Sequence, residues 1–323
     1  MNARFKKVFC IYIFLIFSIS SVSAAERVFV TWNLEWLDDK DVREDIRNGC
    51  LNYKLANPDQ RGVGECDKPR RSAKDFAKLA EYAAALNADV IGVQEVYNVA
   101  ALQKIFPPNL YEYWLSGYKQ DQKTGVVVRK ASFVIERGED FTELGVQGGR
   151  VRYGADVIIR DREDKKQIRV LSVHLKSGCF QDDLGTSPRR DCKILQEQLP
   201  ILEKWIDSRQ PSEYFIVMGD FNRRLLWEAR TKSQNYKDGQ NIWFWPELSD
   251  GGANDVLMNG NVGDERPRIC ARKQYDEYID HILFSRNRAP RIVRFSTVDY
   301  NAGDFEKYVL SDHCPVIVKA LYQ

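Results

Sequence analysis

The sequence predicts a mixed fold of the α/β or α+β class, arranged as a sandwich. Short apolar runs rich in β-branched residues end repeatedly in polar groups, as buried strands do. Amphipathic helical patterns lie between some of these runs. Other runs are close neighbours, such as VVVRKASFVI at 126–135, which resembles an antiparallel hairpin. That mixture favours a sandwich over a purely parallel doubly wound sheet.

Eight runs are predicted to be strands, and several have apolar residues at successive positions, which indicates burial on both faces. In chain order they are RVFVTW (27–32), DVIGVQ (89–94), TGVVVR (124–129), ADVIIR (155–160), IRVLSVHL (168–175), YFIVMG (214–219), EYIDHILFS (277–285) and CPVIVKAL (314–321). These strands supply most of the predicted core.

The clearest helical pattern follows the first predicted strand. It places Phe76, Leu79 and Leu86 on one stripe, with Ser72 as the N-cap candidate and Asn87 near the end. A second helix is predicted over 189–208, where a proline at position 200 kinks or splits it. Two stretches, 38–71 and 223–275, are irregular, and disulfides would explain how they stay ordered.

Residues 1–25 differ from the rest of the chain. A basic start is followed by an apolar core and then by small residues, which is typical of a cleaved secretory signal. A retained membrane anchor is the alternative, but the apolar core is short for a bilayer span. Residues 26–323 contain no repeat, low-complexity tract or linker rich in Pro, Ser or Gly, so one domain is predicted there. Because residues 1–25 resemble a secretory signal, the protein is expected to be secreted or periplasmic.

Net charge gives no general attraction to polyanions. Residues 1–25 carry three of the 48 basic residues and none of the 46 acidic ones, which leaves 45 against 46 in the mature chain. Nucleic-acid binding would therefore require a local basic patch.

Cysteine usage fits an exported protein. One of the seven cysteines lies in the signal segment, and the remaining six form an even set. Six cysteines allow fifteen pairings, and proximity in the sequence favours Cys50 with Cys66 and Cys179 with Cys192, which leaves Cys270 with Cys314. A zinc site is a weaker interpretation because no CxxC pair is present.

Polar residues occur at the ends of the predicted strands. Each alone is explained as a turn former, a helix-end charge or a strand cap. Together they offer hard oxygen ligands suited to Mg²⁺ or Mn²⁺, and imidazoles suited to acid–base chemistry near neutral pH. The set is Asn33, Glu95, His174, Asp220, Asn222, Asp280, Asp312 and His313.

The chain contains only three histidines, and each adjoins one of these polar segments. Side chains alternate along YIDHILFS, so Asp280 and His281 are expected on opposite faces of the strand. Asp280 can then hold an imidazole in one tautomer, as carboxylates orient catalytic histidines elsewhere. His281 is expected to be structural.

The order of six motifs resembles the endonuclease/exonuclease/phosphatase superfamily, which includes deoxyribonuclease I, abasic-site endonucleases of the exonuclease III type and bacterial sphingomyelinases. The motifs are TWNLEWL, VIGVQEV, SVHLKSG, VMGDFNRR, YIDHILFS and SDHCPVIV. They cover the chain from about residue 27 to its end. The resemblance implies a four-layer α/β/β/α sandwich with two mixed sheets packed face to face, and phosphoester hydrolysis that depends on a divalent cation.

The resemblance also implies roles for individual residues. Glu95 is similar to the principal metal ligand, assisted by Asn33 and Asp312, whereas Asp220 and Asn222 position the water and the scissile phosphate. His313 resembles the general base, oriented by Asp280, and His174 the general acid. A histidine at the latter position is typical of deoxyribonuclease I and sphingomyelinases, whereas abasic-site endonucleases have tyrosine there.

Several further residues are candidates for substrate contact. Arg150 and Arg152 precede a strand where the deoxyribonuclease branch has a phosphate-binding arginine, and Arg223 with Arg224 follows GDFN. The basic run KPRR with Lys74 is a weaker candidate, and the cluster Trp243–Trp245 either packs in the core, stacks on bases or enters a membrane. Deoxyribonuclease I pairs its first catalytic histidine with a glutamate, but only Gln122 occurs near the corresponding place.

The leading functional hypothesis is an exported endonuclease that cuts DNA, and RNA as a further option, with little sequence specificity. Mg²⁺ or Mn²⁺ is the expected cofactor, with a structural Ca²⁺ as a further option, and the protein is expected to act as a monomer without a stable membrane anchor. The alternatives are a phospholipid phosphodiesterase of the sphingomyelinase type and an inactive binding protein on the same scaffold.

Overall fold

The computed structural model describes residues 25–57, 62–232, 241–250, 256–259 and 277–322. Residues 1–24, nearly all of the expected signal segment, lie outside these ranges, and so does Cys270 with its expected disulfide to Cys314. Among the helices that the described ranges contain, none is long and apolar enough to cross a membrane.

Strands and helices alternate along most of the chain. The strands are β1 (Glu26–Leu37), β2 (Val90–Val96), β3 (Tyr111–Leu115), β4 (Lys123–Arg129), β5 (Phe133–Phe141), β6 (Gly154–Asp161), β7 (Gln167–His174), β8 (Tyr214–Asp220), β9 (Val256–Asn259), β10 (Asp280–Ser285), β11 (Arg291–Thr297) and β12 (Val316–Leu321). The helices are α1 (Glu44–Ala56), α2 (Ala73–Leu86), α3 (Val99–Ile105), α4 (Val146–Gly149), α5 (Arg190–Asp207), α6 (Leu225–Thr231), α7 (Phe244–Leu248) and α8 (Ala302–Lys307).

The strands form two mixed sheets. The first has the order β11-β12-β1-β2-β4-β3 and the second β5-β6-β7-β8-β10-β9. Each sheet contains one parallel pair, β1 with β2 and β7 with β8, and all other neighbours are antiparallel. A parallel pair needs a crossover connection, and α2 and α5 lie within these two crossovers.

The hairpin expected at 126–135 is wrong. β4 belongs to the first sheet and β5 to the second, so the short connection between them carries the chain from one sheet to the other. β4 instead pairs with β2 and β3, and β5 pairs with β6. Sequence proximity favoured local pairing, but burial of both apolar strands between the two sheets decided the connection.

Three hydrophobic clusters separate four layers. One lies between the sheets, where Phe29 and Val126 pack with Ile216 and other side chains of the second sheet. The others join helices to the outer sheet faces, through α2 on the first sheet and α5 on the second. The two sheets approach closely at Gly92, where an added Cβ would lie 2.7 Å from Met218. The α/β/β/α sandwich implied by the resemblance is confirmed.

The two crossover helices follow the sequence signals. α2 begins after Ser72, whose backbone N–H and side chain both contact Asp75 in a capping box, and it ends at Asn87 with φ of 48°. α5 is a single helix that contains Pro200, so the alternative of two separate helices is wrong. Both helices bury one apolar face and thereby hold their parallel strand pairs against the core.

Strand register brings distant polar residues to one end of the sandwich. Asp220 at the end of β8 lies beside His174 across the parallel pair and beside Asp280 across the antiparallel pair with β10. In the first sheet, Asn33 lies beside Gln94, the residue before Glu95. Because both parallel pairs end at the same edge, the polar ends of four strands meet there.

Candidate active site

A cavity of about 680 Å³ lies where β1, β2, β7 and β8 end. It is lined by six of the eight polar residues expected at strand ends: Glu95, His174, Asp220, Asn222, Asp312 and His313. The other two, Asn33 and Asp280, are buried and contact lining residues directly. Residues spread over 280 positions of sequence therefore form one connected cluster.

His313 and Asp280 form the shortest polar contact in this cluster. His313 Nδ1 lies 2.7 Å from Asp280 Oδ2, and both residues are buried. Backbone contacts fix the loop: Tyr300 Oη donates to the His313 carbonyl, and Ser311 Oγ accepts from the His313 N–H and donates to the Asn33 carbonyl. With Nδ1 engaged, the Nε2 atom of His313 is turned toward Asp220, 4.0 Å away.

The electrostatics of His313 follow from this pairing. Burial alone would lower the pKa of His313, but the charge and hydrogen bond of Asp280 outweigh it, and the pKa lies well above the usual value. His281, the next residue along from Asp280, points the other way, and its Nε2 lies 2.8 Å from the Arg223 carbonyl in the core. The alternation expected along β10 is present.

Asp220 is the centre of the cluster. Its Oδ2 accepts from Asn33 Nδ2 at 3.1 Å and lies 3.4 Å from His174 Nε2, while Oδ1 accepts the Asn222 N–H at 2.8 Å. Burial and then the nearby Asp280 charge raise the pKa of Asp220 to about 7. The preceding Gly219 has φ of 150°, and a Cβ there would lie 2.0 Å from the Val173 carbonyl oxygen. Only glycine brings β8 this close to β7.

His174 has a different environment. Its Nε2 lies 3.4 Å from Asp220 and 3.7 Å from Glu95, whereas its buried Nδ1 has no hydrogen-bond partner among the described residues. Burial, followed by the positive charge of Arg152, places the pKa of His174 well below the usual value. Gln122 lines the same cavity, but its side-chain oxygen accepts from Arg152 at 3.3 Å.

The acidic side of the cavity is ordered by hydrogen bonds from the first sheet. Glu95 Oε2 accepts the Trp36 N–H at 3.1 Å, and Glu95 Oε1 lies 3.3 Å from Asn33 Nδ2. The Asn33 side-chain oxygen accepts the Glu35 N–H at 3.0 Å, so Asn33 orients two acidic residues. Glu35 itself accepts the Asp312 N–H at 3.0 Å and pairs with Lys54.

Glu35 is a cavity residue that sequence reasoning missed. Its position two residues after Asn33 in TWNLEWL was the available signal, because a strand places residues i and i+2 on one face. The strand end is irregular here, with positive φ at Glu35 and Trp36. Of the seven described non-glycine residues with positive φ, four lie at this cavity: Glu35, Trp36, Glu95 and Asn222. Such strain is typical of functional sites.

The four candidate phosphate-binding arginines have different positions. Arg152 lines the cavity, and its guanidinium donates to the His174 and Leu175 carbonyls at 3.2 and 2.5 Å. Arg150 is exposed and does not line it. Arg224 contacts Gln181 and is likewise absent from the lining.

The interpretation of Arg223 as a phosphate contact is wrong. Its side chain is fully buried, pairs with the buried Glu228 at 2.5 Å, and donates to the Cys179 and Asp182 carbonyls at 2.7 and 2.6 Å. A charge this deep is retained because a carboxylate and two carbonyls satisfy it. Arg223 therefore joins the loop after β7 to α6.

The aromatic cluster Trp243–Trp245 packs against other side chains of the domain. Phe244 is fully buried at the start of α7 and contacts Phe221 edge to face, while Trp243 packs against Trp227. Trp245 lies against the α5 cluster. The cluster is thus part of a short packed helix, and the membrane-inserting hairpin that a sphingomyelinase would need is absent at this described segment.

Two of the three expected disulfides lie within the described residues. Cys50 pairs with Cys66, across 16 positions of sequence, and Cys179 pairs with Cys192, across 13. The first joins α1 to the turn at Gly64–Cys66, and both of its cysteines line the cavity. The first bond lies within the irregular region 38–71, and the second ties the segment after β7 to α5.

The residues of the cavity fit a divalent cation. Glu35, Glu95, Asp220 and Asp312 converge there, and Asp280 Oδ1 is buried without a hydrogen-bond partner among the described residues. Burial, followed by the charge of Asp280, raises the pKa of Asp220 to about 7, and a bound cation would offset both effects. Carboxylate oxygens are the ligands that Mg²⁺ and Mn²⁺ prefer. When bound, such an ion stabilises negative charge that develops on a phosphoryl group.

Known proteins share this architecture. A model of the Endonuclease/Exonuclease/phosphatase family matches residues 30–313. No curated protein sequence matches the chain significantly.

Solved structures similar to this one include three of relevance here. An endonuclease/exonuclease/phosphatase from Bacteroides vulgatus has 14% sequence identity and a TM-score of 0.56, over 93% of this chain and 100% of that one. TDP2 from D. rerio, complexed with a single-strand DNA product, has 14% identity and a TM-score of 0.54, over 92% and 99%. A mannosyl-6-phosphatase from Bacteroides thetaiotaomicron has 15% identity and a TM-score of 0.51, over 92% and 100%.

The similarity to these solved structures shows the fold alone. The family match covers most of the chain. The fold, the order of motifs and the acidic cavity agree with it. The chain therefore belongs to the Endonuclease/Exonuclease/phosphatase family and is a metal-dependent phosphoester hydrolase.

Proposed function

We propose that this protein is an exported endonuclease that hydrolyses phosphodiester bonds of DNA with little sequence specificity, using Mg²⁺ or Mn²⁺. The observation that carries the proposal is the His313–Asp280 pair, 2.7 Å apart, whose Nε2 side faces Asp220 in the same cavity as Glu95 and His174. This arrangement supports the assignment of a base, an acid and a cation site around one cavity.

In this proposal His313 is the general base. Asp280 holds its Nδ1, so Nε2 is the atom that takes a proton from the attacking water. Asp220 lies within 4.0 Å of that nitrogen and positions the water, and Asn222 is held beside it through its own N–H. The negative charges of Asp280, Asp312 and Asp220 favour the protonated imidazole that forms.

His174 is the acid-side residue of the proposal. Its lowered pKa keeps the imidazole neutral, so it acts as an N–H donor to the phosphoryl oxygen or the leaving group. Arg152 lies beside it and is the proposed phosphate contact, replacing Arg223 in that role. Glu35, Glu95 and Asp312 are the proposed cation ligands; Asn33 contacts the Glu95 side chain and the Glu35 N–H, and Glu35 accepts the Asp312 N–H.

Export is the other part of the proposal. A basic, apolar and then small-residue pattern over 1–25 supports a cleaved signal, followed by a single domain over 26–323. The disulfides Cys50–Cys66 and Cys179–Cys192 support an oxidising compartment, either the periplasm or the medium. The protein is proposed to act as a monomer.

A plasmid assay tests the proposed function. Purified protein is incubated with supercoiled plasmid in Mg²⁺, Mn²⁺ or Ca²⁺, with and without EDTA, beside sphingomyelin vesicles and a phosphomonoester. Nicking with Mg²⁺ or Mn²⁺ that EDTA abolishes is expected, and His313→Ala should lower it by about 10⁴-fold. Arg150→Gln, at an exposed arginine outside the cavity, is the matched control. Release of phosphocholine without DNA cleavage would contradict the proposal, as would hydrolysis of the monoester alone.

A further inference from the structure

One wall of the cavity is aromatic and basic, and the proposed chemistry does not use it. The wall comprises Trp36 at the end of β1, Tyr53 and Lys54 on α1, and Lys68 and Arg70 after the turn at Gly64–Cys66. It shares the cavity with the acidic cluster. The wall is therefore close enough to contact a part of the substrate next to the scissile phosphate.

Trp36 connects this wall to the site directly. Its backbone N–H donates to Glu95 Oε2 at 3.1 Å, and its φ of 52° turns the chain at that point. Trp36 and Glu95 both line the cavity. Lys68 Nζ lies 4.4 Å from the Trp36 ring centroid, within the range of a cation–π contact.

The ammonium group of Lys68 can exchange its carboxylate partner for a phosphate. Its carboxylate partner is Asp121 at 2.7 Å, and the Lys68 and Asp121 side chains are 35% and 44% exposed. Such exposed pairs are weak, so an incoming phosphate can replace the carboxylate at little cost. Lys54 differs, because it already pairs with the largely buried Glu35 at the acidic cluster.

The wall is held in place covalently. The disulfide between Cys50 and Cys66 joins α1 to the turn that ends two residues before Lys68. Cys50 and Cys66 both line the cavity. The position of the Lys68 ammonium over the indole therefore depends on this crosslink as well as on its own contacts.

We propose that Trp36 and Lys68 form a subsite for the nucleotide next to the scissile phosphate, in which the Lys68 ammonium binds the flanking phosphodiester. This inference rests on the proposed function and assigns the substrate class more narrowly, as a polyanion with at least two phosphodiesters. In this subsite the ring supports the ammonium and also contacts the neighbouring sugar or base.

The same geometry disfavours a phosphocholine headgroup. Recognition of a quaternary ammonium uses an open aromatic face. Here a lysine ammonium already lies 4.4 Å from the centroid of the Trp36 ring and repels a second cation. A phosphodiester backbone is attracted and not repelled, because it brings negative charge to Lys68 and to the neighbouring Arg70.

The experiment compares Lys68→Gln with Lys104→Gln. Lys104 is a matched control, since it lies 4.3 Å from the Phe76 ring centroid, pairs with Asp41 at 2.8 Å and does not line the cavity. Binding of a fluorescent 12-nucleotide single strand is measured by anisotropy in EDTA, where the strand stays intact. Hydrolysis with Mg²⁺ is measured for the same strand and for bis(4-nitrophenyl) phosphate, which carries one phosphate.

Lys68→Gln is expected to raise Kd for the strand about fivefold, the effect of one exposed charge contact. The salt dependence, as the slope of log Kd against log salt, should fall by about 0.7. The ratio of kcat/KM for the strand to that for the single-phosphate ester should also fall about fivefold. Asp121→Asn frees the ammonium and should lower Kd about twofold, and Lys104→Gln should leave all three readouts at wild-type values.

Two outcomes would overturn the subsite alone, and a third would overturn it together with the proposed function. Equal Kd, salt slope and ratio in Lys68→Gln and wild type, in a wild type that cleaves DNA, would contradict the subsite alone. An equal loss on both substrates would also contradict it, since this would mark a general structural effect. A wild type that does not cleave DNA would contradict the proposed function, and the subsite with it.

Discussion

Asp220 has a histidine on each side, and the pKa values of these two histidines are shifted in opposite directions. His313 and His174 are both buried, and their Nε2 atoms lie 4.0 and 3.4 Å from Asp220 Oδ2. Yet the pKa of His313 lies well above the usual value and that of His174 well below it. Burial lowers the pKa of both imidazoles, so the neighbouring charges account for the difference between them.

The difference comes from what each Nδ1 contacts. On the His313 side, Asp280 accepts from Nδ1, which opposes the desolvation cost of the cation. On the His174 side, Nδ1 is buried without a partner in the described structure, and Arg152 adds repulsion. A neutral imidazole with its proton on Nε2 suits that environment, because it donates toward Asp220. One fold thus holds an imidazole that favours its protonated form and a neutral imidazole on either side of Asp220.

The largest expected effect on DNA cleavage comes from disrupting the His313–Asp280 pair. Asp280→Asn removes the charge that orients His313, so kcat for DNA cleavage should fall by about 10³- to 10⁴-fold. In a His313→Ala background, the same change should add little, because the two residues act as a unit. The measurement is initial nicking rate for the single and double variants. Independent, multiplying losses would contradict the pairing.

A smaller effect is expected on the His174 side. His174→Gln keeps a side-chain donor but loses the imidazole, and kcat should fall by about 10²-fold. Since no carboxylate supports His174, this loss should be smaller than that of Asp280→Asn. Steady-state rates on one oligonucleotide compare the two variants directly. A larger loss at His174 would reverse the assignment of base and acid.

The smallest expected effect concerns Gln122. Its side-chain oxygen contacts Arg152 and not His174, so Gln122→Ala should lower kcat/KM by at most about fivefold, the value of one hydrogen bond. Gln147→Ala, on an exposed glutamine paired with Glu197, is the control. A loss as large as that of His174→Gln would show that Gln122 acts through His174, as a glutamate does in deoxyribonuclease I.

Local patterns predicted much of the fold and of the cluster. The alternation of side chains in a strand is enough to separate Asp280 from His281, and a capping residue with a stripe of apolar positions is enough to locate α2. The order of six motifs was enough to indicate the family and the end of the sandwich where the polar residues meet. All of these are short-range or linear properties of the chain.

Other features depended on contacts across the fold. Arg223 follows the same motif as Asp220 and Asn222, but a carboxylate of α6 draws it into the core, whereas Arg152 reaches the cavity from a distant loop. The crossing from β4 to β5 followed from burial between two sheets. Glu228 is near Arg223 in the sequence, but the carbonyl partners of Arg223, at Cys179 and Asp182, lie 44 and 41 positions away.

By itself, then, the sequence determined which chemical groups stand at the ends of which strands, because strand periodicity and motif order are local. Only the tertiary structure decided how those groups are charged and which of them face the cavity. The physical reason is that a pKa depends on distances to partners far along the chain, such as the 33 positions between Asp280 and His313. The same holds for Lys68 and Trp36, whose contact is made only after the chain has folded.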